Sequence, residues 1–225
     1  MQQAAPPAKI VSDLRENASR LGIAVDDGKL NTFLTYYSEL MAWNRRINLI
    51  SKNSEEEIVK RHFVDSLTPL PYLNSPGGSL IDLGSGGGFP GVPLKILLPE
   101  LTVFLLDSSR KKTSFLSRLA VVLDLDKTEI IRGRAEDIIT NTRFCGIFDT
   151  VISRAAFKLT ELLVFSSYLL KQGGQLIAMK GAHLPQELDA AESVADKAGM
   201  KLNTDLVNLS AINNHSKSMA IYNRT

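Results

Sequence analysis

The sequence predicts an α/β protein in three αβα layers, with helices on both faces of a mostly parallel seven-stranded sheet and a helical cap at the N-terminus. Three observations predict it. From residue 79 onward, short apolar runs alternate with amphipathic helical stretches, the pattern of βα units whose parallel strands are covered on both faces. Residues 8 to about 70 show helical periodicity instead. Between the two regimes, "LIDLGSGGGFPG" at 80–91 sets four glycines within Gly84–Gly88, straight after an apolar run that contains an acid. In an open α/β sheet, the loop beyond the carboxyl end of a strand is where ligands sit.

The helical part comes first. In "AKIVSDLRENASRLG" apolar residues fall at 10, 11, 14, 18 and 21, and Gly22 supplies a C-cap. "DDGKLNTFLTYYSELMAWNRRINLI" places Leu30, Phe33, Leu34, Tyr37, Leu40, Met41 and Trp43 on one helical face. "SEEEIVKRHFVDSLTPL" opens on Ser54 as N-cap with Glu57 following, a capping-box pattern. "NSPGG" at 74–78 is turn chemistry and separates a helical segment, 1–75, from a sheet domain, 76–225. Strands are predicted at 79–83, 102–107, 128–133, 148–154 and 174–180, with "SRKKTSFLSRLAVVLD" and "LTELLVFSSYLL" as helices between them. "LNTDLVNLS" and "SKSMAIYN" complete the seven strands, and the polar "AINNH" between them makes the last pair antiparallel.

Composition narrows the function classes. Of 225 residues, 44% are hydrophobic, enough for a core that needs no disulfide or metal. Cys145 is the one cysteine, so no internal disulfide can form, which fits a reducing cytoplasm. No run approaches the roughly 18 apolar residues of a membrane span, and "MQQAAPPAKIVSD" lacks an apolar segment of signal length. A soluble cytoplasmic protein without a membrane partner is expected. His62, His183 and His215 stand apart, with no cysteine or carboxylate at ligand spacing, so no metal is expected. The net charge of +2 neither demands nor excludes nucleic acid.

Glycine is costly in backbone entropy, so the cluster at 84–88 asks for a cause. Gly86, Gly88 and Gly91 match G-x-G-x-x-G, and Asp107 stands near the position of a ribose acid, as in a dinucleotide site. The register argues against that reading. Gly86 lies beyond the strand end at Leu83, and Pro90 sits where a phosphate-binding helix would open. Counted from Gly84 instead, D-x-G-x-G-x-G suits a backbone that approaches a ligand without phosphate. Asp82 would meet a ligand cation, and Asp107, at the end of the second strand, would take ribose hydroxyls. S-adenosylmethionine, with an α-amine, a sulfonium and no pyrophosphate, answers that description. A plain tight turn with a solvated acid needs one glycine, not four.

Read in order, "DLGSGGGFPGVPLKI", "LLDSSRKKTSFL", "RAEDI", "FDTVISRA" and "MKG" resemble the ribosomal RNA small-subunit methyltransferase G family, also called glucose-inhibited division protein B. Upstream, "WNRRINLIS" and "RHFVDSL" resemble its N-terminal segment, so the likeness spans roughly residues 25–222. The resemblance implies a Rossmann-like class I S-adenosylmethionine-dependent methyltransferase that transfers a methyl group to N7 of a specific guanine in the decoding-region loop of 16S rRNA. It implies 16S rRNA in the 30S subunit or its precursor as partner, and a monomer. Carried over by motif, it implies cofactor contacts at Gly84 and Phe89, at Ala135 and Glu136 of "RAEDI", and at Arg154 of "ISRA". Lys217 stands where the family carries arginine.

Independently of that resemblance, each later strand is followed by or ends in a cation: Arg134 for the third, Arg154 for the fourth, Lys180 for the fifth. Three cations at the mouth of a cationic cofactor's site suit an anionic substrate, and an RNA backbone is the obvious candidate. Pairing with Glu136, Asp137 and Glu161 is the alternative. "RKK" at 110–112 puts cations at a helix N-terminus, where the helix dipole disfavours them. Arg45, Arg46, Lys52, Lys60, Arg61 and His62 form a further basic group, read as RNA docking, whereas Phe33, Tyr37 and Trp43 read as core.

The expected site is then a cofactor set of Asp82, Gly84, Gly86, Gly88, Phe89, Asp107, Ala135, Glu136 and Arg154. Arg134, Arg154 and Lys180 hold RNA, and there is no catalytic acid or base and no metal. The rival readings are a methyltransferase for a small molecule or protein, a nicotinamide-dependent oxidoreductase, and an RNA-binding module with a vestigial loop.

Overall fold

The computed structural model describes residues 7–51, 57–203, 207–208 and 218–225. Ser54, Lys52, His215, Lys217 and the "AINNH" turn lie outside the described residues. The cap begins with α1 (Pro7–Arg20), which buries Ile10, Leu14 and Ala18 at a spacing of one helical turn. Gly22, at φ +72°, ends it as the sequence predicts. In α2 (Asp27–Asn44), Asp26 is the N-cap and its carboxylate accepts from the Lys29 N–H at 2.8 Å. The buried face of α2 carries Leu30, Phe33, Tyr36, Tyr37 and Leu40. Trp43 is half-buried, packed 5.7 Å from Phe115. The third predicted helix departs from α geometry. Val59–Val64 form a π-helical turn that runs into α3 (Asp65–Leu67) and a 3-10 turn at Leu70–Tyr72.

The sheet follows as β1 (Ser79–Leu83), α4 (Gly91–Leu97), β2 (Thr102–Asp107), α5 (Arg110–Val122), β3 (Thr128–Arg132), α6 (Ala135–Ile138), β4 (Phe148–Arg154), α7 (Leu159–Leu169), β5 (Leu170–Lys180), α8 (Leu184–Lys197), β6 (Met200–Leu202), β7 (Val207–Asn208) and β8 (Ser218–Arg224). Strands β1 to β5 are mutually parallel, and β8 is antiparallel to β5, β6 and β7. The order is β3-β2-β1-β4-β5-β8-β6, seven strands on one path, with the short β7 also paired to β8. The sixth predicted strand is thus two pieces, β6 and β7, and β5 starts at Leu170 rather than at Gly174.

Residues alternate across the sheet with the period of two that strands impose. Leu80, Val103, Leu105, Ile152 and Ile177 face a core shared with α1, α2, α4 and α5. Ile81, Leu106, Val151, Leu176 and Ala178 face a second core with α6, α7 and α8. Phe33, Tyr36 and Phe63 of the cap are fully buried in the first of these. Each large apolar side chain buried is worth roughly 1.5–3 kcal/mol, so these residues hold the cap to the sheet domain.

Candidate functional site

The chain runs β1, β2, β3 outward to one side and then returns to place β4 on the other side of β1. This reversal opens a crevice at the carboxyl ends of the strands. A cleft of about 430 Å³ lies there, lined by Gly84 after β1, Asp107 and Ser108 after β2, and Arg134, Ala135 and Glu136 after β3. Ala156 and Phe157, just beyond β4, close it.

Asp107 is the fixed acid of the cleft. It is 7% exposed. Its Oδ2 accepts from the Gly86 N–H at 3.0 Å and its Oδ1 from the Ser109 N–H at 2.8 Å. Each carboxylate oxygen has a second lone pair, so Asp107 is held in place and can still accept from a pair of hydroxyls. Gly86 has φ +57°, and a Cβ there would meet nothing nearer than 3.8 Å, so its backbone is open to an approaching ligand. Gly84 lines the cleft and is closely packed as well. Ala155, at φ +56°, turns the chain after β4 so that a Cβ on Gly84 would come within 2.6 Å of the Ala156 methyl.

The other half of the glycine loop faces the cap. A Cβ on Gly88 would lie 2.7 Å from the Tyr36 hydroxyl and 2.9 Å from Val92. Phe89 is 4% exposed and packs on Tyr36, His62 and Phe63 at centroid distances of 5.4, 4.9 and 5.9 Å. Asp82 is fully buried beneath the loop, with Oδ2 accepting from the Gly91 N–H at 2.9 Å and Oδ1 without a hydrogen-bond partner among the described residues. Burial pushes its carboxyl up to about 7, against the opposing pull of the Gly91 N–H and the Arg154 charge. The structure thus places Gly88 and Phe89 against the cap and Asp82 beneath the loop, where it accepts from Gly91, and none of the three is among the residues lining the cleft. The same contacts remove the dinucleotide reading, because Gly88, the glycine that should admit a pyrophosphate, abuts Tyr36 instead.

The three strand-end cations also part company. Arg134 is exposed and lines the cleft, as expected. Arg154 turns into the cap. Its Nη1 donates to Asp65 Oδ2 and to the Arg61 carbonyl, both at 3.1 Å, and its Nη2 lies 2.9 Å from His62 Nδ1. Its guanidinium carbon stands 5.1 Å from the Phe89 ring centroid, in cation–π contact. Lys180 is 9% exposed and pairs with Glu187 at 2.7 Å and with the Phe157 carbonyl. Burial pushes the Glu187 carboxyl up, but Lys180 and the Leu159 N–H together hold it below its ordinary value. Of the three strand-end cations the structure therefore brings Arg134 to the cleft, while Arg154 and Lys180 have internal acceptors. Lys112, Arg110 and Lys111 at the start of α5 extend the basic rim, Lys112 at 3.8 Å from Asp107.

Sequence reasoning missed two residues of this region. Tyr36 follows the i, i+3, i+4 spacing of Phe33 and Leu40, which could have found it. Asp65 shares a helix face with His62, but only the fold brings it to Arg154. Among the described residues no group of acids, histidines or cysteines could hold a metal, and no helix is long and apolar enough to cross a membrane.

The family model for rRNA small subunit methyltransferase G matches residues 29–215. A ribosomal RNA small subunit methyltransferase G of Syntrophus aciditrophicus is 47% identical over 199 residues, covering 88% of this chain and 83% of its own. Its namesake in Desulfitobacterium hafniense is 38% identical over 202 residues, covering 89% and 84%. Among solved structures, M. jannaschii TYW2 in complex with AdoMet aligns at a TM-score of 0.58 and 16% identity over 80% of each chain. Aeropyrum pernix fibrillarin, with natively bound S-adenosyl-L-methionine, aligns at 0.54 and 15% over 65% of this chain and 66% of its own. These two show the shared Rossmann-like fold. The sequence relatives show more, and with the family model they establish that this chain belongs to the rRNA small subunit methyltransferase G family.

Proposed function

We propose that the chain transfers a methyl group from S-adenosylmethionine to N7 of a guanine in small-subunit rRNA, with the 30S particle or its precursor as substrate, as a cytoplasmic monomer. The observation that carries this reading is the cleft at the strand-order reversal, where an anchored acid, Asp107, faces an open glycine backbone at Gly86 beneath a basic rim. These residues fit the cofactor: Asp107 would take ribose hydroxyls, Gly84 and Gly86 would admit its backbone approach, and Ala135 and Glu136 would sit beside the adenosine end. When bound, it supplies an electrophilic methyl group on a sulfonium. Arg134, with Lys112 and Lys111, would hold phosphates at the mouth.

Guanine N7 carries an unprotonated lone pair in the ring plane, so the protein needs no general base. His62 and Asp65, the titratable pair of "RHFVDSL", are engaged with Arg154, which supports that view. The work left to the protein is alignment of the reacting atoms at near-attack distance. A bidentate grip on O6 and N7 is the common way to read guanine, but it would block the nucleophile, so the basic rim holds phosphates or O6 alone. Calorimetric titration tests the cofactor half. S-adenosylmethionine should bind and NAD should not, and Asp107→Asn should weaken binding by about tenfold, in keeping with the loss of a charged hydrogen bond. Tight NAD binding with none of S-adenosylmethionine would overturn the reading.

A further inference from the structure

A second hollow, of about 620 Å³, lies between α8 and β6, at the end of the sheet opposite β3. Buried Ala195 and Met200 and half-buried Leu188 form an apolar floor. Leu202 stands 41% exposed beside it. Tyr222, in register with Leu202, lines the hollow at 3% exposure.

The rim is acidic. Asp189, Glu192 and Asp196 are spaced three and four residues apart on α8 and so share one face. All three are exposed, and none is ion-paired among the described residues. Lys201 is the one cation lining the hollow. Beside it, β6 ends the sheet and pairs only with β8, so its outer backbone is unpaired among the described residues.

We propose that this edge binds an extended protein segment carrying lysine or arginine. The segment lies along β6 as an added strand. One of its apolar side chains fills the hollow against Met200, Leu202 and Tyr222, and a basic one reaches the α8 carboxylates. The carboxylates disfavour RNA, whose phosphates they would repel. A bare polyamine would meet the acids and leave the apolar floor uncovered. A second copy of this chain, paired isologously, would set the same three acids against their own images. The inference is independent of the methyl-transfer reading.

The test is fluorescence anisotropy of a labelled synthetic peptide alternating lysine and valine, titrated with the full chain at physiological salt. Saturable binding is expected. It should weaken by about tenfold in the triple variant Asp189→Asn, Glu192→Gln, Asp196→Asn, a change readily resolved. Leu202→Asp should weaken it similarly, although that substitution adds a negative charge. Amide exchange across Met200–Leu202 should slow when the peptide is bound. Absence of binding, or binding that the triple variant leaves unchanged, overturns the proposal. So does binding that survives Leu202→Asp with no slowing at β6, which would mark diffuse attraction of a cation, as would equal competition by spermidine. A dimer in light scattering that Leu202→Asp dissociates would assign the edge to a second copy instead.

Discussion

The Tyr36 hydroxyl, fully buried, donates to the Gly87 carbonyl at 2.5 Å, tying α2 of the cap to the middle of the glycine loop. Burial pushes this phenol's pKa well above its ordinary value, so it remains a donor throughout the working pH range. The cap thereby fixes one face of a loop whose other face opens on the cleft. Tyr36→Phe should cost about 1–3 kcal/mol in urea denaturation, the usual cost of leaving a buried acceptor unpaired. It should weaken cofactor binding as well, because Gly86 is next to the residue that loses its anchor.

The Arg154–Asp65 pair joins β4 to the cap beneath Phe89, with side-chain exposures of 18% and 2%. Removing one partner of such a pair is worse than removing both. Asp65→Asn should destabilise by on the order of 3 kcal/mol. A double variant with Arg154→Gln should cost less than the sum of the two single changes, as a double-mutant cycle measures. Additive costs would separate the two residues.

Gly86 and Gly88 should behave differently although the sequence presents them alike. Gly88→Ala meets Tyr36 and Val92 inside normal contact distance and should lower the thermal midpoint steeply. Gly86→Ala has space and bears only the left-handed backbone cost of about 1–2 kcal/mol. Its larger effect should be on S-adenosylmethionine binding by calorimetry. Equal stability losses at both positions would contradict the division of the loop.

Asp82 gives a pH signature. Its carboxyl titrates at about 7 in the folded protein against 3.8 ordinarily, so the folded state keeps a proton that the unfolded state releases. Its stabilising contribution is complete below the ordinary value and is lost as pH rises through the folded one. Asp82→Asn is neutral at every pH and lacks this term. The stability of the wild type relative to the variant should fall by about 1.4 kcal/mol per pH unit between about pH 5 and 7, then level off. Urea denaturation of both proteins across that range checks it, and parallel curves would show that Asp82 is ionised when folded.

Much of this was legible in the sequence, for physical reasons. Strand runs such as 79–83 and 102–107 are apolar and bounded by turns, so their ends were readable to the residue. The place of Asp107 at the cleft was legible because it ends a strand. The places of Arg154 and Lys180 were not. Their partners, Asp65 and Glu187, come from other elements, and nothing local distinguishes a cation that faces solvent from one with an internal acceptor. The close packing of Gly88 on Tyr36 was hidden for the converse reason: a glycine needed for packing looks the same in sequence as one needed for a ligand.

The most direct test of the account is transfer of tritiated methyl from S-adenosylmethionine to 30S particles from cells lacking this enzyme, with the labelled nucleotide mapped. The expected result is label on one guanine of the small-subunit rRNA, at N7, abolished by Asp107→Ala and reduced by Arg134→Ala without loss of cofactor affinity. Single-turnover rates should be nearly flat from about pH 6.5 to 8.5, since no base tuned near neutrality takes part. Label on protein, on a small molecule or on an exocyclic amine, from a chain that binds the cofactor normally, would contradict it.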